Sequence, residues 1–142
     1  MSRVLVVANE TVGAEELLAE IRRIADCRTS RFFVVAPAVA GDHGMGAWNQ
    51  SGAIDAARAR LEGTLTLLRS EGLDAEGEVG DMVPMGAIGD ALRQFQADQI
   101  VISTHPPARS RWLHRDLIAQ CRKKYGIPVT HVVSHVHETA PA

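Results

Sequence analysis

Three short runs, Val4–Ala8, Phe32–Ala36 and Gln99–Ser103, lack the alternation of a strand with one face in water. Runs of this kind predict strands covered on both faces, as in the interior of a parallel sheet flanked by helices. The segments between them carry the other period. Leu17, Leu18, Ile21 and Ile24 recur at the three-and-four spacing of a helix that Thr11 can cap. Ile54, Ala57, Leu61, Leu65 and Leu68 make a second stripe, opening at Ser51 and closed by Gly72 in the C-terminal glycine position. Pro84 starts a third helix with Ile88, Leu92 and Phe95 inward, and a fourth carries Leu117, Cys121 and Tyr125 before Gly126. One strand differs. In Leu73–Val79 the apolar Leu73, Ala75 and Val79 alternate with Asp74, Glu76 and Glu78, which predicts a half-wet strand at a sheet edge. The last strand is expected in Ile127–Val136.

Strands that alternate with helices need crossover connections and therefore a parallel sheet. The prediction is an α/β fold: an open, doubly wound five-stranded parallel sheet, order 3-2-1-4-5, with helices on both faces. At 142 residues with 46% hydrophobic and 23% charged residues, the chain is expected to be one domain, 1–142, with 137–142 as a flexible tail. A formal net charge of -2 gives no general pull toward nucleic acid or an anionic membrane, and no apolar stretch reaches membrane-spanning length. The opening MSRVLVVANE lacks the pattern of a signal peptide, and Cys27 and Cys121 both fall in helical patterns, so a cytoplasmic protein with reduced thiols is expected.

In such a sheet the ligand crevice lies outside the carboxyl ends of the strands, where the winding direction reverses. Asn9 and Glu10 after strand one are expected to face Ser103, Thr104 and His105 after strand four. Ala36 closes strand two, and Asp42 and His43 arrive from the Gly-rich loop that follows Pro37. Arg109, Arg111 and Arg115, with His114, form a basic cluster after strand four that can hold an anion by charge-assisted hydrogen bonds or remain a solvated loop. Ser103-Thr104-His105 are consecutive, a poor geometry for a nucleophile and its base, so turnover is not expected. His131, His135 and His137 share a face if the last strand stays extended. That fits a polar, titratable edge better than a metal site, and no metal is expected. Gly44-Met45-Gly46 is only half of a dinucleotide fingerprint, and Trp48 and Trp112 either cover the crevice or pack on the domain. No P-loop occurs.

The opening VLVVANET, the segment VGDMVPMGAIGDALRQFQADQIVIS and the triplet Ile127-Pro128-Val129 resemble the universal stress protein family from Arg3 to about Val136. The resemblance implies a Rossmann-like fold in the order already argued, dimerisation through the fifth strand and, in one branch, ATP in the crevice. That branch carries Gly, two residues, Gly, nine residues, then Gly followed by Ser or Thr. Counted from Ser103, those places hold Ser103, Pro106, Asp116 and Leu117; counted back from Pro128, the last pair becomes Arg115 and Asp116. Asn9 stands where the family has an aspartate. Side chains, one of them acidic, replace the bare amides that approach phosphate oxygens. The expectation is a non-enzymatic stress-response or ligand-sensing protein without family-type ATP binding and with no cofactor. The alternative is an ATP- or AMP-binding member with weak ATPase activity. Expected partners are a second copy, through Ile127 to Val136, and a small anionic or nucleotide ligand.

Overall fold

The computed structural model describes residues 2–8, 15–27, 29–38, 50–80, 84–104 and 117–133. Its elements run β1 (Ser2–Ala8), α1 (Glu15–Cys27), β2 (Ser30–Pro37), α2 (Gln50–Ser70), β3 (Asp74–Gly80), α3 (Pro84–Gln94), β4 (Gln99–Thr104), α4 (residues 117–125) and β5 (Val129–Val133). The sheet is parallel throughout and its order is β3-β2-β1-β4-β5, as the patterning predicts.

Each face of the sheet has its own core. On one face Leu17, Ile21 and Ile24 of α1 and Ala57, Leu61 and Leu68 of α2 pack on Val4, Val6, Phe32, Val34, Val101 and Val132. On the other, Ala87, Ile88 and Ala91 of α3 and Leu117, Ile118 and Cys121 of α4 pack on Leu5, Val7, Phe33, Val35, Ile100 and Ile102. Phe95, just beyond α3, stacks on Phe33 with ring centroids 5.4 Å apart. Burying each large side chain stabilises by about 1.5–3 kcal/mol, far above an exposed ion pair, so these two layers hold the fold. Winding thus proceeds from β1 to β3 under α1 and α2, then reverses to β4 and β5 under α3 and α4. The reversal lies between β1 and β4.

The local signals that end the elements also hold. Gly72 and Gly126 follow α2 and α4 with φ of 80° and 64°, the left-handed conformation in which glycine carries no Cβ penalty. At the edge strand β3, Asp74 and Glu76 are exposed and Ala75 is buried. One expectation fails. Ile54 is 39% exposed, outside the buried stripe of α2. A 21-residue helix is roughly 31 Å long at 1.5 Å per residue, whereas the eight-residue β2 spans roughly 26 Å. α2 runs antiparallel to the strands and is longer than the strand it covers, and Ile54 lies in its first turns, toward the carboxyl end of the sheet.

Candidate functional site

The reversal brings together the ends of β1 and β4. Ala8 pairs with Ser103, and Ser103 pairs on its other side with Val132, so Ser103 sits on an interior strand. Both Ala8 and Ser103 are fully buried. Ser103 is one of three buried polar residues among those described, with Ser2 and Thr64.

Toward this end the side chains on the α1/α2 face become smaller. In β1 the series is Val4, Val6, Ala8; in β2 and just beyond it is Phe32, Val34, Ala36, Ala38; in β4, Val101 is followed by Ser103. Three neighbouring strands therefore taper in step, from a bulky middle to methyl- and hydroxymethyl-sized groups at the carboxyl edge. Small side chains there let another group approach the backbone closely.

Of the expected site residues, Ala36 is fully buried at the end of β2 opposite Val79, and Ser103 and Thr104 close β4, the latter opposite Val133. Ala36 and Ser103 lie on the same tapered face, separated by β1. Asn9, Glu10, Asp42, His43, His105, Arg109, Arg111 and Arg115 lie outside the described residues. So do Thr11, His114, the Gly44-Met45-Gly46 segment, both tryptophans, His135 and His137, and the tail from 137. His131 lies in β5 opposite Ile102 and is half-buried. Among the described residues, no group of three or more His, Cys, Asp or Glu could hold a metal ion.

Sequence reasoning missed Arg60. From α2 its Nη2 donates to the carbonyl oxygen of Pro37, the last residue of β2, at 2.8 Å. The signal for it was faint: a cation one turn after the buried Ala57 and beside Leu61, at the margin of the apolar stripe. Cys121 is not a reactive group. Burial pushes its thiol up to about 11, against a small opposing effect of Lys124, and its Sγ lies 3.8 Å from Met85 Sδ inside the α3/α4 core. Such a thiol stays protonated at neutral pH and is poorly nucleophilic.

No protein-family model and no curated protein matches the sequence. Solved structures do match it. A universal stress protein family protein from Arabidopsis thaliana, solved with AMP bound, is 16% identical with a TM-score of 0.64, over 99% of this chain and 96% of that one. The universal stress protein from Archaeoglobus fulgidus in complex with dAMP is 24% identical with a TM-score of 0.62, over 93% and 97%. A universal stress protein in complex with cAMP is 16% identical with a TM-score of 0.58, over 92% and 97%. The strand order, the reversal at Ala8 and Ser103 and these likenesses along nearly the whole length show that the chain has the universal stress protein fold.

Proposed function

We propose that this protein is a universal stress protein in function as well as fold, sensing a small anionic ligand at the carboxyl ends of β1 and β4 without turning it over. The observation that carries the reading is the taper across β1, β2 and β4, which lowers steric bulk at the reversal where open α/β sheets bind ligands. Ser103, Pro106 and Asp116, or Arg115 under the other count, stand where a triphosphate cradle has glycines, so ATP held in that manner is not part of the proposal. The ligand-binding set is Asn9, Glu10, Ala36, Asp42, His43, Ser103, Thr104, His105, Arg109, Arg111 and Arg115.

A second reading, nucleotide binding, is favoured by the AMP, dAMP and cAMP of the solved neighbours. A monophosphate needs less of a phosphate cradle than a triphosphate does, and arginines can supply donors in place of amides. Dimerisation through Ile127 to Val136 is supported by the position of β5 at an edge of the sheet, where among the described residues its strand partner is β4. The free, buried thiol of Cys121 fits a reducing cytoplasm.

Titration calorimetry with AMP, cyclic AMP, pyrophosphate and ATP–Mg tests the ligand. Binding of at least one of the first three, with ATP–Mg no tighter than AMP, is expected. Silence from all four at millimolar concentration removes the anion site. ATP retained by protein purified under native conditions, read by mass spectrometry, reverses the preference against a triphosphate.

A further inference from the structure

Arg60 occupies an unusual place for a surface-helix cation. It follows the fully buried Ala57 by one turn of α2, it is itself half-buried, and its guanidinium spans the gap between α2 and the sheet to reach the Pro37 carbonyl at 2.8 Å. Pro37 is the last residue of β2 and pairs with Gly80 of β3. Among the described residues, the β1–β2 pairing runs only to Val7 opposite Val35, so the end of β2 extends beyond it. Among the described residues, the contacts that hold that end include the β3 ladder, Ala38 N–H to the Gly80 carbonyl at 3.2 Å, and Arg60 to the Pro37 carbonyl.

The proline ring fixes φ at position 37, which leaves ψ as the soft angle that sets where the chain goes next. A hydrogen bond to the carbonyl oxygen of Pro37 constrains that angle, because the carbonyl turns with ψ. A charged, forked donor does so more strongly than a neutral one. The next residue, Ala38, is 3% exposed and belongs to the tapered α1/α2 face. From there the sequence leads within a few residues to Asp42 and His43.

We propose that Arg60 is a positioning residue of the ligand crevice: by holding the last carbonyl of β2 it fixes the direction in which the chain leaves the sheet beside Ala8 and Ser103. This rests on the ligand-sensing function proposed above, with Arg60 acting through the backbone rather than by touching the ligand.

The test compares wild-type protein with Arg60→Met, which keeps an apolar stem and removes every donor, and Arg60→Lys, which restores charge and a single ammonium donor. Amide hydrogen exchange without ligand is the first readout. In Arg60→Met the Ala38 amide should exchange about tenfold faster, the size expected when roughly one net hydrogen bond is lost, while Val34 in the middle of β2 stays within about twofold. Arg60→Lys should fall between. Ala38 protection unchanged in Arg60→Met, or Ala38 and Val34 accelerated alike, overturns the proposal; if Arg60→Met does not fold, the same comparison is made with Arg60→Lys. The second readout is AMP affinity. If wild type binds AMP, Arg60→Met should weaken it about tenfold and Arg60→Lys recover part of the loss; unchanged affinity overturns the proposal. If wild type binds none of AMP, cyclic AMP, pyrophosphate and ATP–Mg, the ligand-sensing function fails, while the exchange experiment still decides what Arg60 does to β2.

Discussion

The two ends of the same five strands are built differently. At the amino end every strand is tied in by the chain itself. Ser2 N–H donates to the Thr29 carbonyl, Asp98 N–H to the Arg3 carbonyl at 2.7 Å, and Arg3 N–H back to Asp98 Oδ2 at 2.9 Å. Arg31 of β2 pairs with Asp74 of β3 at 3.1 Å, both Nε and Nη2 of Arg69 bond the Ala75 carbonyl, and Ile100 N–H donates to the Pro128 carbonyl. Beneath these contacts lie Phe32, Leu5 and Ile100, all fully buried. At the carboxyl end the side chains on the α1/α2 face include Ala8, Ala36, Ala38 and Ser103, and the ties among the described residues include Ala38 to Gly80 and Arg60 to Pro37. The amino end is closed by bulky side chains and backbone ties, and the carboxyl end of the α1/α2 face is lined by small side chains that are themselves buried. Substitutions at the first should therefore act on stability, and substitutions at the second on ligand binding.

The largest effect is expected at Phe32. Phe32→Ala removes a fully buried ring and should destabilise by about 3–5 kcal/mol, measured by urea unfolding. Phe32→Ala at the cost of an exposed alanine substitution would break the distinction from the amino-end side. Next is Ala36→Leu, which restores bulk where the face tapers. Overpacking should cost about 1–3 kcal/mol and abolish anion binding, whereas full binding would detach the crevice from the taper. Smaller still is Asp98→Ala, which removes the exposed acceptor of the Arg3 N–H; about 0.5–1 kcal/mol is expected, with ligand affinity unchanged.

The smallest concerns Arg22 of α1 and Glu71 just after α2, an exposed pair with two hydrogen bonds of 2.9 Å. The bond from Arg22 holds the Glu71 carboxyl below its usual range. A depressed carboxylate pKa contributes stability above its unfolded value, and that stability is lost as pH falls through the folded one. The slight difference in melting temperature between wild type and Arg22→Ala should thus be present at pH 7 and shrink below about 4.5, the carboxyl's ordinary value. A difference that grows in acid would contradict the assignment.

The fold was legible because a strand covered on both faces cannot keep a polar alternation, so Val4–Ala8, Phe32–Ala36 and Gln99–Ser103 announced the interior of the sheet and Asp74–Glu78 its edge. Periodicity told which face of α2 is buried but not how far the helix outruns the strands, and Ile54 was misread for that reason. The place of the reversal was legible for a related reason: the order of strands fixes it. The chemistry proposed there was less so. Arg60 escaped notice because the reach of a long side chain across a helix–sheet gap depends on tertiary spacing that no local pattern encodes. Asn9, Asp42, His105 and the arginines from 109 to 115 lie outside the described residues.

The central claim is that a small anion binds over the tapered carboxyl end at the reversal. An amide-resolved NMR titration of the protein with AMP, repeated with pyrophosphate, addresses it residue by residue. Shifts concentrated at Val7, Ala8, Ala36, Ala38, Ser103 and Thr104, with Ser2, Arg31, Asp74 and Asp98 unmoved, are the predicted result. Shifts centred on the amino end, or none at millimolar ligand, would contradict it.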